Sequence, residues 1–354
     1  MENSGDESQT VIGSSSQAQF GYQRLIDELR AEGLFESMTP AYLAMFLLFI
    51  TIAVSMPVVF LTVSRNSWSI LLALPLAFAV VQMGFLAHDA GHWQFSPQKS
   101  MNRFILLISA NMILGVSGSW WTEKHNRHHR FVNDESRDPD MASRTLIYSA
   151  DQAKVRMRSK SGRFVARYQS IYVIPILTLE IVQLRATSLV WLLRTRVRHK
   201  YLELFLILLN ISYFTAVPLL VVDKEHGVVF VILSTTLTGL YLGLAFIVNH
   251  IGLPSRVSGE ISDFERSQVE HSRNLSTGRV GALIFGGLDS QIEHHLCPSM
   301  PRLHLHEARV VVKRHCDELG INYREQTPIN AYVNILRFLS QVGKDPALFV
   351  EERP

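Results

Sequence analysis

Three short boxes gather histidine in this chain: His88-Asp89-Ala90-Gly91-His92, His125-Asn126-Arg127-His128-His129 and Gln291-Ile292-Glu293-His294-His295. Within each box the key positions recur three or four residues apart, a spacing that on a helix stacks side chains on one face. Seven imidazoles converging in this way make a metal centre. Neutral imidazole binds iron, zinc, copper and nickel alike, so donor type alone leaves the metal open. Number says more, because a catalytic zinc takes three protein ligands and a structural zinc four. Seven histidines suffice for two metals of higher coordination number, and iron, the metal of oxygen chemistry, is the expected one. Cys297 and Cys316 are the only cysteines. Without a CxxC pair or a disulfide-like density they offer neither a thiolate site nor an extracellular staple, and they fit a reducing compartment.

The elements that must hold these boxes have the composition of membrane helices. Of 354 residues 47% are apolar and the mean hydropathy is +0.14, which points away from an ordinary soluble enzyme. Residues 40–63, 68–87, 202–222 and 228–249 each approach the ~20 apolar residues that cross a hydrocarbon core. Only Ser64 to Ser67 joins the first pair and Asp223 to Gly227 the second, so the four spans make two hairpins. Two more apolar stretches are expected not to cross. Phe104 to Trp121, if it spanned, would put the first two boxes on opposite sides of the bilayer, so it dips or lies at the interface. Tyr168 to Leu193 carries Glu180, Gln183 and Arg185, costly in lipid, and has cationic sequence at both ends, so it lies along the interface.

The expected fold is an all-α integral membrane protein: four transmembrane helices as two hairpins, interfacial helices, and a histidine-rich cap that is cytosolic together with both termini. Lys154, Arg156, Arg158, Lys160, Arg163 and Arg167, followed by Arg194, Arg196, Arg198 and Lys200, are basic runs of the kind that mark a cytoplasmic face. A solvated loop or a contact to anionic lipid are their other readings. With a net charge of only +3, nothing else points to nucleic acid. Residues 1–38 comprise a polar opening, disordered through residue 19, and a surface helix from Phe20 to Phe35. The opening lacks a basic region leading into an apolar one, so no cleaved signal peptide is expected. Residues 39–320 form the membrane unit, in which Gly and Pro punctuate 252–259 and 278–301 and Leu303 to Gly320 is a cytosolic helix stopped by glycine. Residues 321–354 are a cytosolic tail.

In and around the boxes the chain resembles the membrane fatty acid desaturases, specifically the acyl-lipid and front-end type whose third box begins with glutamine. The likeness extends to Asn133 followed by Asp138-Pro139-Asp140, to the Asn249-His250 pair after the last span, and to Gln291 through Arg302, QIEHHLCPSMPR. Identity, order and spacing agree over most of the chain. The resemblance implies a non-haem di-iron centre that uses O2 and two electrons to remove two hydrogens from adjacent methylenes of a long acyl chain, with water as the other product. It implies that His88, His92, His125, His128, His129, His294 and His295 ligate iron, with His250 as the eighth histidine. Gln291 holds a position that is histidine in other branches, where it acts through a water or by supporting a ligand. Ligating imidazoles donate their other ring nitrogen to an acceptor, a role open to Asp89, Glu293, Asn126, Asp138 and Asp140, with helix capping, turn formation or surface exposure as the competing roles. Asn249 has the same two readings.

No His-Pro-Gly-Gly haem motif of a fused cytochrome b5 domain precedes the first span, so electrons are expected from a separate ferredoxin, cytochrome b5 or flavin reductase docked on the cytosolic surface. The acyl group would be carried on coenzyme A, a carrier protein or a phospholipid, and reach the oxidant from lipid through an apolar tunnel. Trp93, Trp120 and Trp121 either line its mouth or sit at the membrane interface, the commoner place for Trp. A metal-ion transporter is the rival from another class, but it would bury its polar groups near mid-membrane, whereas here the histidines begin where hydropathy ends. A di-iron hydroxylase or ketolase is the closer rival, separable by product analysis, and the third box favours desaturation. His199, His226, His271 and His315 are expected not to ligate, while His304 and His306, close behind the third box, are left open.

Overall fold

The computed structural model describes residues 21–143, 145–256 and 263–344. The polar opening through residue 19, the expected tail from residue 345 onward and residues 257–259 of the Gly- and Pro-rich stretch lie outside them. A helix over residues 21–31, α1, precedes α2 (Thr39–Val63). Helix α2 is apolar on every side: Tyr42, Phe46, Phe49 and Phe60 pack inward while Leu43, Leu47, Leu48 and Val58 stay exposed, the mark of a helix whose solvent is lipid. A 3-10 turn, Ser67–Leu72, leads into α3 (Ala73–Gly91), the most enclosed of the long apolar helices.

Helix α4 (Lys99–Leu106) runs on as a π-helix to Leu114, breaks at Gly115, and leaves as α5 (Gly118–Arg130) at 106°. Gly115 has φ +78°, and a Cβ there would lie 2.5 Å from Asn210 Oδ1, so both conformation and space demand glycine. After α6 (Ala150–Arg156) a second bent pair follows, α7 (Lys160–Leu177) and α8 (Glu180–Arg194), at 79°. Helix α9 (Lys200–Ile211) passes through a π turn into α10 (Val217–Val221), and α11 (Lys224–His250) returns.

Among the described residues four segments are long and apolar enough to cross a membrane, Thr39–Val63, Ser67–Gly91, Lys200–Val221 and Lys224–His250, and the two bent pairs coincide with the two extra apolar stretches of the sequence. Helix α3 lies between α2 and α11: Phe78 meets Phe49 and Tyr241 at 6.0 Å each, and Phe60 of α2 stacks on Phe230 of α11 at 3.9 Å. Gly243 lets α7 close on α11, since a Cβ there would meet Leu177 Cβ at 2.8 Å, the small-residue contact typical of helices packed in lipid.

The remaining elements are α12 (Phe264–Glu270), β1 (Asn274–Leu275), α13 (Arg279–Phe285), α14 (Gln291–Leu296), α15 (Leu305–Leu319), β2 (Glu325–Gln326) and α16 (Pro328–Val342). Strands β1 and β2 pair in parallel, Asn274 opposite Glu325. Helices α1, α12, α14 and α15 share a second core through Leu25, Leu29, Val269, Leu296 and Val312. Leu25 and Leu29 are fully buried, worth roughly 1.5–3 kcal/mol each, so α1 is packed into the part of the fold that carries the third box. The segment after residue 321 also folds back: Ala331, Ile335 and Leu339 of α16 join Val173, Leu177 and Val248 in a third core.

Candidate metal centre

Helix α3 is apolar apart from the buried Gln82 until its last turn, which bears His88, and His92 caps it. Gly91 stands between them because Trp121 lies against it; a Cβ would come 2.5 Å from Trp121 Cζ3. Trp121 in turn stacks on His125, with centroids 4.6 Å apart and planes 21° apart. Helix α5 begins on Ser117, whose hydroxyl accepts the Trp120 N–H at 3.2 Å, and carries the second box in its later turns. Successive helical residues point about 100° apart. His128 and His129 therefore diverge, and so do His294 and His295 on α14. Each of these adjacent pairs feeds two places at once.

Those places are two groups of imidazoles whose candidate ligand nitrogens lie within 4.8 Å of one another: His88, His92, His125, His129 and His294 in one, His128, His250 and His295 in the other. The rings of His129 and His295 join the groups, 4.3 Å apart. All eight histidines expected from the sequence are gathered here, and His92 and His129, from boxes separated by an apolar stretch, are 4.7 Å apart.

Behind the rings stand hydrogen-bond partners that fix their orientation. His128 Nδ1 faces Asp138 at 3.0 Å, and Asp138 is held by the backbone N–H groups of Asn133 and Asp140, both at 2.9 Å. His88 Nδ1 faces Asp89 at 3.2 Å, and Asp89 pairs with Arg302 Nε at 3.1 Å. His250 Nδ1 donates to the His271 carbonyl at 3.0 Å, and His295 Nδ1 faces Gln268 Oε1 at 2.9 Å. These contacts turn Nε2 of the four rings toward the cluster. Gln268 also donates to the His129 carbonyl at 3.0 Å, tying α12 to α5.

The other candidates divide. Gln291 stands at the three-histidine group, its amide nitrogen 3.0 Å from His250 Nε2 and its oxygen accepting from Asn249 at 3.2 Å. Asp140 faces His128 Nδ1 at 3.4 Å and pairs with Lys124. Glu293 touches no imidazole in these bonds: it accepts from Asn274 at 2.7 Å and Tyr323 at 2.8 Å, so it anchors α14 instead. Asn126 is exposed. Outside the groups, His315 pairs with Glu265, His226 with Asp223 and His304 with Glu307, while His199 and His306 are exposed. Trp93 is 48% exposed, whereas Trp121 lies against the rings. Sequence reasoning missed Gln268, Asn274, Tyr323 and the His271 carbonyl. Only Arg302, inside the family-like stretch, carried a signal.

Burial, followed by neighbouring imidazoles, holds the pKa of His92, His294 and His295 far below the ordinary value. That shift favours the neutral ring, the form a metal requires. Burial pushes the Glu293 carboxyl up. A metal fits this donor set. His92 Nε2, His129 Nδ1, His294 Nδ1 and His295 Nε2 are buried without a hydrogen-bond partner, and the Nε2 atoms of His88 and His294, and of His125 and His129, face each other at 3.0 Å. Buried polar nitrogens left facing one another are costly unless a cation satisfies them.

Comparison with known proteins points to one enzyme family. The family model described as fatty acid desaturase matches residues 66–327. The chain is 28% identical, over 92% of its length, to Delta(8)-fatty-acid desaturase 1 of Arabidopsis thaliana, of which it covers 76%. It is 28% identical over 92% of its length to the Delta(8)-fatty-acid desaturase of Euglena gracilis, covering 79% of that protein. To the Delta 8-(E)-sphingolipid desaturase of Kluyveromyces lactis it is 27% identical over 85% of its length, covering 55%.

Proposed function

The chain belongs to the fatty acid desaturase family, and from that premise we propose that it forms a carbon–carbon double bond in a long fatty acyl chain at a non-haem di-iron centre, consuming O2. The observation that carries this reading is the division of eight histidines into adjacent groups of five and three. That is more imidazole than one zinc uses, and a donor set suited to two irons. The five-histidine group would hold one iron and His128, His250 and His295 the other, with Gln291 beside the second. The chemistry iron supplies there is the reduction of O2 with two external electrons and two protons, coupled to removal of two hydrogens from adjacent methylenes and yielding two waters.

The chain's own residues do the rest. Asp138, Asp89, Gln268 and the His271 carbonyl hold ring nitrogens in one orientation. Trp121, packed on His88 and His125, excludes water from one side of the cluster. In this reading the chain crosses the bilayer four times as two hairpins, residues 39–320 form the desaturase unit, and the cap and both termini are cytosolic. The basic runs from Lys154 and from Arg194 support that orientation. Both bent pairs turn back without crossing. A ferredoxin, cytochrome b5 or flavin reductase supplies the electrons, and the acyl group arrives on coenzyme A, a carrier protein or a phospholipid.

The test is expression in a host without the product, followed by lipid profiling by gas chromatography and mass spectrometry, with and without O2. A new unsaturated acyl species that requires O2 is expected. A hydroxylated or ketone product in its place would overturn desaturation.

A further inference from the structure

The break between α4 and α5 leaves backbone groups of Met112 to Ser119 outside regular helix bonding, and side chains from α8 and α9 meet them. Asn210 donates to the carbonyls of Met112 and Ile113 at 3.0 and 2.8 Å, and Arg185 Nε to that of Leu114 at 2.8 Å. Ser188 Oγ accepts the Ser117 N–H at 3.2 Å. Glu203 Oε2 accepts from the Ser117 hydroxyl at 2.6 Å, from Asn111 at 3.1 Å and from the Ser119 N–H at 3.4 Å, and its other oxygen takes the Ser119 hydroxyl. Glu203 and Asn210 are each 1% exposed. Seven residues apart, they share one face of α9. Among the described residues no cation pairs with Glu203, and its charge lies at the positive end of α5.

We propose that Glu203 and Asn210 are positioning residues for the metal centre, clasping the bend so that α5 aims His125, His128 and His129. A carboxylate in an apolar helix is costly, and here it is spent on the start of the helix that delivers three of the eight rings. The leverage is large. Tilting α5 by about 10° at Gly118 would carry His129, about 16 Å along the helix, through roughly 3 Å, against a metal-bond tolerance of about 0.2 Å. The inference rests on the di-iron reading for the identity of the metal and on the geometry for the clasp.

Full-length Glu203→Gln keeps the shape but loses the charge and replaces one acceptor oxygen by an NH2 donor; Ser119→Ala, which removes one hydroxyl, is the milder variant should the first fail to fold. Two readouts are needed on purified protein: hydrogen exchange of backbone amides 117–121, and titration with ferrous iron followed by Mössbauer spectroscopy. We expect exchange to quicken about tenfold, iron affinity to fall tenfold or more, and the iron doublets to shift, with Ser119→Ala intermediate. Wild-type exchange, affinity and spectrum in both variants would overturn the clasp. A wild type that binds another metal refutes the oxidation chemistry alone, and loss of that metal by the variants would still support the clasp.

Discussion

Asp138→Asn is the sharpest perturbation of the ligand support, because the Asp138 carboxylate is held between His128 and two backbone N–H groups. Its side chain is 1% exposed. Both oxygens face His128 Nδ1, at 3.0 and 3.1 Å, while one accepts the Asn133 N–H and the other the Asp140 N–H. Asparagine preserves the volume but sets an NH2 against one of those two N–H groups, donor against donor. Losing one charge-assisted bond costs about 1.5–3 kcal/mol of folding stability. His128 also loses the carboxylate that holds its Nδ1 proton, and such losses lower metal affinity about 10–100-fold, or roughly 1.4–2.7 kcal/mol. Iron titration of the purified variant, beside its thermal melt and acyl product, measures both terms. Wild-type iron affinity together with wild-type product would refute the role given to Asp138.

His294→Ala removes a ring from the five-histidine group and should abolish product and deplete iron, as read by metal analysis and lipid profiling. Gly91→Ala drives a methyl into Trp121 and should cost about 1–3 kcal/mol by overpacking, with product falling as the His125 stack is displaced; an unchanged melt would count against it. Tyr323→Phe leaves one Glu293 oxygen without its donor, which should lower stability by about 1–3 kcal/mol in a denaturation series. Burial pushes the Cys316 thiol up to about 12, so an alkylating reagent at mildly alkaline pH should label it only after unfolding, a difference that mass spectrometry of the intact chain would detect.

The long apolar helices were legible because lipid demands composition rather than pairing, and their ends fall within four residues of those read from the sequence. Seven of the eight metal-ligand candidates were legible because spacing within a box survives in the sequence, while His250, outside the boxes, was reached only through the family resemblance. What joins the boxes is not written locally. Gln268 and Asn274 look like ordinary polar residues, and their roles exist only because α12 and β1 lie beside α14. Glu203 is a lone acid at the start of an apolar run, where it resembles a helix-end charge; its partners are 84 to 92 residues earlier. Arg185 signalled only that its stretch avoids lipid, while its guanidinium closes the bend at Leu114. Helix α16 carries a strong amphipathic pattern, yet nothing in the chain says that its apolar face belongs on α7 and α11.

Mössbauer spectroscopy of protein enriched in 57Fe, with metal counted per chain, bears most directly on the eight-histidine centre. Two irons per chain, lost together when His128 or His294 is replaced by alanine, are the expected result. A single zinc, or iron that survives both substitutions, would contradict it.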